Sequence, residues 1–232
     1  RAYCARATGD HPAALAALGS LEYAHPDLED HRRYWLARSL EETGAAPAAM
    51  TQYEALLATS HHPDLVEEAR LRLAELCLKQ NQKPRALEFF AAAATGPQAP
   101  EALARLAQLD TDPAARQHRL RLWREFPAHA LALEAARQAT AAASPEETCT
   151  RALVFYSHKH HSEAGQLLEG LLATHPKSPH RTEARLLLGR VRGAEGQWEE
   201  ARGIFAKLWD KDHHPAALYY LGAALARRAR AR

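Results

Sequence analysis

Residues 74–90 read Ala74-Glu75-Leu76-Cys77-Leu78-Lys79-Gln80-Asn81-Gln82-Lys83-Pro84-Arg85-Ala86-Leu87-Glu88-Phe89-Phe90. Asn81 tolerates the left-handed conformation that ends a helix. Pro84 suits the opening turn of a second helix, where its missing N–H leaves no bond unmade. Ala74 and Ala86 are small, as needed where two helices cross closely. Phe90 follows Ala86 by one helical turn and shares its face.

The same arrangement recurs along the chain. Gly9-x-x-Pro12-x-Ala14 and Gly44-x-x-Pro47-x-Ala49 align with Asn81-x-x-Pro84-x-Ala86, and Gly196-Gln197-Trp198-Glu199-Glu200-Ala201 is a further copy with Trp198 near the Pro position. Seven residues before each Gly or Asn stands a small residue: Ala2, Ala37, Ala74 and Gly189. Four residues after each second Ala stands a large one: Leu18, Tyr53, Phe90 and Phe205. Another copy pairs Ala152 with Ala164 and Leu168, and a last first helix contains Leu218 and Gly222. This frame resembles the tetratricopeptide repeat, whose period is about 34 residues. It predicts an all-α fold, a right-handed superhelix of antiparallel helix pairs. One pair cannot bury its apolar stripe alone, but stacked pairs share a core.

In a helix over 68–80, Ala69, Leu71, Leu73, Ala74, Leu76, Cys77 and Leu78 cover much of the circumference, with Glu67, Glu68, Arg70, Arg72 and Glu75 as an exposed stripe. The frame slips after residue 100. Breakers at Thr111-Asp112-Pro113 and Pro127 divide residues 101–143 into helices at 101–109, 113–126 and 129–142, with Ala104 the best match to the frame. The expected organisation is helix pairs over 1–100, an irregular junction over 101–143, and helix pairs over 144–232 that stop before the last partner helix.

Composition narrows the function. The β-branched aliphatics are only Val66, Val154, Val191 and Ile204, while Ala and Leu dominate, which argues against a sheet. A formal charge of +2 is too mild to indicate nucleic acid. No apolar run approaches the roughly 20 residues that span a bilayer. Cys4, Cys77 and Cys149 lack C-x-x-C spacing, so they read as buried free thiols.

Candidate chemistry is sparse. The clusters His61-His62, His158-Lys159-His160-His161 and His213-His214 fall at helix ends without a carboxylate or Cys at ligand spacing, so no metal is expected. The pairs Glu67-Glu68, Glu146-Glu147 and Glu199-Glu200 read as first-turn acids that complement the helix dipole, not as a glycosidase pair. No phosphate loop or nucleophile turn occurs, and neither a catalytic residue nor a cofactor is expected. The run Arg227-Arg228-Ala229-Arg230-Ala231-Arg232 has no interleaved aromatics and reads as a solvated end. The frame places Tyr34, Arg38, Arg72, Arg190 and Tyr219 on the first helices, which line the concave face of such arrays. Arg and Tyr are common anchors for extended or anionic partners.

Leu122-Trp123-Arg124-Glu125-Phe126-Pro127-Ala128-His129-Ala130-Leu131-Ala132 resembles a segment of bacterial soluble lytic transglycosylases, with Ala130 where that family has Pro. Ala217-Leu218-Tyr219-Tyr220-Leu221-Gly222-Ala223-Ala224 similarly looks like another helix of that family, with Tyr220 for Trp and Ala223 for Arg. The resemblance implies a periplasmic superhelical scaffold that positions a lysozyme-like catalytic domain and glycan strands of peptidoglycan. The family's essential carboxyl is a Glu followed by Ser, and no Glu here is followed by Ser. The alternative is a free-standing tetratricopeptide adaptor that grips a partner protein or peptide.

Overall fold

The computed structural model describes residues 8–20, 26–139 and 144–230. The frame residue Ala2, Cys4 and the side chains of the basic run from Arg227 onward lie outside what is described. Among the described residues every regular element is a helix, and the chain is an all-α solenoid of antiparallel helix pairs. It divides into two compact units, Arg1–Ala115 and Arg116–Arg232.

The first unit holds α1 (His11–Gly19), α2 (Pro26–Glu42), α3 (Ala46–Thr59), α4 (Pro63–Lys79), α5 (Lys83–Ala93) and α6 (Ala99–Leu109). Each packs on the next, and α2 also touches α4. The second unit holds most of α7 (Ala114–Glu125), then α8 (Ala130–Gln138), α9 (Pro145–Ser157), α10 (His161–Thr174), α11 (Arg181–Ala194), α12 (Trp198–Asp212) and α13 (Pro215–Arg230). From α8 onward each again packs on its successor, while α9 touches α11 and α11 touches α13. Within each unit the first helices of successive pairs therefore lie side by side.

The frame positions hold the pairs together. Ala14, Ala37, Ala49, Ala74, Ala86, Ala152, Ala164 and Ala201 are fully buried, and Leu18, Tyr53, Phe90, Leu168 and Phe205 fill the space beside them. At Gly189 even a methyl group is excluded, because a Cβ there would stand 2.5 Å from the Phe205 ring. In the last helix Gly222 meets nothing within 4 Å, and Leu218 is half exposed.

The turns inside the pairs share one geometry. Gly44, Asn81, Lys159 and Gly196 all have positive φ, between 58° and 82°. Each is followed by a residue whose N–H reaches back five positions: Ala45 to Leu40 at 2.9 Å, Gln82 to Cys77 at 2.8 Å, His160 to Phe155 at 2.9 Å, and Gln197 to Arg192 at 2.8 Å. These bonds satisfy carbonyls that the helix end leaves unpaired. Lys159 is the residue that fits least, since a Cβ in the left-handed region is strained.

Two expectations need correction. Helix α4 starts at Pro63 behind His62, not near residue 68. Glu67 and Glu68 therefore stand beyond its first turn, where only Asp64 is acidic. The expected exposed stripe is also absent: Glu67 is buried and Glu68, Arg70, Arg72 and Glu75 are half-buried. The helix is enclosed by α3, α5 and α2, so even its polar residues find protein neighbours. The acid pairs at Glu146-Glu147 and Glu199-Glu200 do lie in first turns, and Glu147 completes a capping box with Ser144.

The junction forms three helices, slightly shorter at most ends than the breakers predict. Its segment Leu122–Ala132 is a packed joint: Leu122 and Trp123 are buried, and the His129 ring caps α8 by accepting from the Leu131 N–H at 3.3 Å. His158 reaches the His129 carbonyl at 3.2 Å, tying the joint to the end of α9.

Two stability measurements test this account. Ala86→Leu should lower stability by about 1–3 kcal/mol, because the buried crossing has no room for the larger side chain. Ala91→Leu, on the exposed side of the same helix, should change it by less than about 0.5 kcal/mol. Equal urea midpoints for the two variants would show that the crossing is misplaced. At the turns, Lys159→Gly should raise stability by about 0.5–1 kcal/mol, and Gly196→Lys should lower it by about as much. A loss of stability in Lys159→Gly would rule out strain at that turn.

Candidate functional site

In the first unit, three of the residues expected on the first helices meet. Tyr34 and Arg38 on α2 and Arg72 on α4 gather around Glu68. Arg38 reaches the Glu68 carboxylate at 3.4 Å and Glu42 at 3.7 Å, while Arg72 lies 3.5 Å from Glu68 and 4.0 Å from Glu41. Gln98 donates to the other Glu68 oxygen at 3.2 Å, and the Tyr53 hydroxyl meets Glu41 at 3.3 Å. Tyr34 is only 6% exposed, so it supports this cluster from beneath. Burial pushes the Glu68 carboxyl upward, but hydrogen bonds from Gln98 and Tyr34 and the charges of Arg72 and Arg38 outweigh it and hold it below its usual range. Burial also raises the Tyr34 and Tyr53 hydroxyls, with Glu68 and Glu41 respectively reinforcing the effect. The cations here already have their carboxylates.

The second unit differs. Arg190 on α11 and Tyr219 on α13, the other two expected residues, line one pocket of about 220 Å³. The Arg190 guanidinium lies 4.6 Å from the Tyr156 ring centre and 5.5 Å from that of Tyr220. Tyr220 stacks on Phe205 with ring centres 5.5 Å apart, and Tyr219 meets Tyr220 edge-on at 5.2 Å. Gly189, Gly193, Ala194, Ala223 and Ala224 also line the pocket, and Trp198 closes it beside Gly193. The Arg190 Nε is buried without a hydrogen-bond partner, and no described carboxylate pairs with this residue. Two positions along the same helix, Arg192 gathers Glu169, Glu195 at 2.8 Å and Glu200 at 3.4 Å. The second unit therefore has acids to spend on arginine, and none of them faces the pocket.

Tyr156 and Tyr220 escaped the sequence reading. Tyr156 stands four residues after the frame residue Ala152 and Tyr220 two before Gly222, so both belong to first helices. Arg38 and Arg190 each directly follow a frame residue, and each reaches the residue 30 positions on: Glu68 in one unit, Tyr220 in the other.

Among the remaining candidates, several histidines sit at helix ends. His62 precedes α4, His158 and His160 flank the turn between α9 and α10, and His213 ends α12. Among the described residues no group of three or more His, Cys, Asp or Glu is placed to hold a metal ion. Cys77 and Cys149 are buried free thiols, and burial, with Glu183 adding to it, pushes Cys149 up to about 12. No helix among the described residues is long and apolar enough to cross a membrane.

Glu68 gives the first unit a defined acid response. A carboxyl lowered on folding stabilises the fold above its unfolded pKa, near 4.5, and that contribution disappears as pH falls through the folded value. Glu68→Gln should therefore be less stable than the parent chain at pH 7, with the gap narrowing below about pH 4.5. Thermal melts from pH 7 to pH 3 measure it. A gap that stays constant across that range would mean that the charge of Glu68 contributes nothing.

A tetratricopeptide repeat family model matches residues 155–227, all within the second unit. That stretch includes the frame positions Ala164, Gly189, Ala201 and Phe205, as well as every residue that lines the pocket. No curated protein matches the chain. Among solved structures it is similar to a tetratricopeptide repeat protein from Parabacteroides merdae, at 17% identity and a TM-score of 0.45 over 98% of this chain and 84% of that one. It is similar to the C-terminal part of a TPR repeat-containing protein from Cytophaga hutchinsonii, at 12% identity and a TM-score of 0.40 over 90% of this chain and 77% of that one. The assembly chaperone of RpL4, Acl4, shares 20% identity at a TM-score of 0.39 over 99% of this chain and 95% of that one.

Proposed function

We propose that the chain is an interaction scaffold that holds a segment of a partner protein against the first helices of its second unit. One observation carries this reading. Tyr156, Arg190, Tyr219 and Tyr220 come from three first helices, α9, α11 and α13, and converge on a single pocket. Tyr219 is 73% exposed, which is far more than packing requires of a tyrosine. Tyr and Arg supply large contact areas and are over-represented among the residues that dominate binding energy.

A narrower reading makes the array the scaffold of a periplasmic soluble lytic transglycosylase, with glycan strands along its wall. The Leu122–Ala132 segment supports it, since Trp123 is buried and His129 caps the helix that follows Pro127.

Panning a random peptide library against the whole chain separates the two. A scaffold for protein segments should select peptides whose affinity falls about 5–50-fold in Tyr219→Ala, measured by fluorescence polarisation. Tyr219 is exposed, so this change should leave the fold intact. Peptides that bind Tyr219→Ala as well as the parent chain would remove the pocket from the function. Retention on purified peptidoglycan sacculi, with no peptide selected, would instead favour the narrower reading.

A further inference from the structure

We infer that the pocket of the second unit reads an acidic side chain, an Asp or Glu standing next to an apolar residue in the partner's segment. This rests on the scaffold reading and specifies its ligand. The decisive feature is the environment of Arg190. The rings of Tyr156 and Tyr220 lie beside its guanidinium, at 4.6 and 5.5 Å. A guanidinium carries all its N–H groups in its own plane, so aromatic rings over it leave the donor edge as the route for a partner. A carboxylate approaching in that plane accepts two N–H bonds at once.

Charge complementarity identifies the occupant. Among the described residues, those lining the pocket include one cation and no anion: besides Arg190 they are Tyr, Trp, Phe, Gly and Ala. Arg192, two residues on, is neutralised by three carboxylates, and in the first unit Arg38 and Arg72 meet Glu68 and its neighbours, whereas Arg190, like Arg151 on α9, stands against an aromatic ring without a described one. The Arg190 guanidinium has no described counterion in the free protein, and an incoming carboxylate at its remaining N–H groups supplies one. Beside the aromatic rings the pair is stronger than it would be in open water.

The rest of the pocket selects the neighbour of that acid. Gly189, Gly193 and Ala223 offer no polar side chain, while Trp198 and Tyr219 present apolar ring surface. An aliphatic or aromatic side chain beside the carboxylate fills this space and keeps water from the ion pair. A Gln or Asn in place of the acid offers a neutral oxygen and leaves the guanidinium charge without a counterion, so discrimination follows from what the wrong ligand fails to pair.

The test uses the full chain and fluorescein-labelled peptides with amidated C-termini, in which Asp or Glu adjoins Leu, Phe or Trp between Gly-Ser flanks. Matched peptides carry Asn or Gln instead. Acidic peptides should bind at least about tenfold more tightly than their amide counterparts, and the advantage should shrink as salt is raised. Arg190→Gln should abolish the preference, leaving both series with similar weak affinity. Circular dichroism confirms that the variant is folded, and Arg190→Lys, which keeps the charge but loses the planar fork, should retain only part of the preference. Equal binding of acidic and amide peptides to the parent chain would overturn this inference and leave the scaffold reading standing. The same peptides with free C-termini form a parallel set, and binding confined to that set would overturn the assignment to a side chain. Absence of binding by every peptide, in the presence of a folded chain, would remove both readings.

Discussion

Close approach of paired helices is the constraint on which the rest of this structure depends. At the crossings from Ala37 to Ala201 the frame places residues no larger than Ala, and these are sealed from solvent. A larger residue one turn on, such as Tyr53, Phe90, Leu168 or Phe205, then packs beside the crossing. Removing one of these large side chains would leave a cavity of the kind that lowers stability by about 2–5 kcal/mol. The crossing at Gly189 shows the constraint at its tightest, since the Phe205 ring occupies the volume that a Cβ would need. The candidate pocket follows from the same rule. Small residues on α11 and α13 leave a gap, and the large residues of α12 wall it rather than fill it.

How much of this can be read from the sequence depends on the range of the interaction. The frame is local: an anchor, a left-handed turn seven residues later and a second small residue five beyond that. Its signals survive substitution, so the copy with Lys159 in the turn was found from Ala152, Ala164 and Leu168 although no Gly marks it. Helix starts were less legible. His62-Pro63 opens α4 without a side-chain cap bond, and an N-terminus without Ser, Thr, Asp or Asn gives little warning. That is why the sequence alone presents Glu67 and Glu68 as first-turn acids. Charge pairing was the least legible, because it joins residues about one repeat apart. Arg38 finds Glu68 and Arg190 finds Tyr220, and no local pattern distinguishes the two.

The resemblance to lytic transglycosylases has a physical content that can be stated apart from any activity. In the Leu122–Ala132 segment, Leu122 and Trp123 contribute buried apolar surface worth several kcal/mol together. Pro127 breaks the helix and His129 restarts it by capping α8. These are the requirements of a tight joint between two helices, so the segment speaks first to how the chain folds. The chemical half of the resemblance, a Glu followed by Ser, has no counterpart in the sequence.

Helix α11 shows how one element can serve stability and recognition together. Arg192 stands among Glu169, Glu195 and Glu200, which belong to α10, to the turn after α11 and to α12. Such a network ties three successive elements, and a network contributes more than the isolated surface pairs that are worth about 0–1 kcal/mol. Arg190 sits two residues earlier and therefore on another side of the helix, among rings instead of acids. Tyr156 and Tyr220 keep its guanidinium positioned by cation–π contact without neutralising it. Replacing Tyr220 with a carboxylate would satisfy Arg190 as Glu68 satisfies Arg38, and it would close the site to any anion from outside. The aromatic pair holds the cation in place and leaves its charge available, and that combination separates a binding surface from an internal ion pair built on the same repeat.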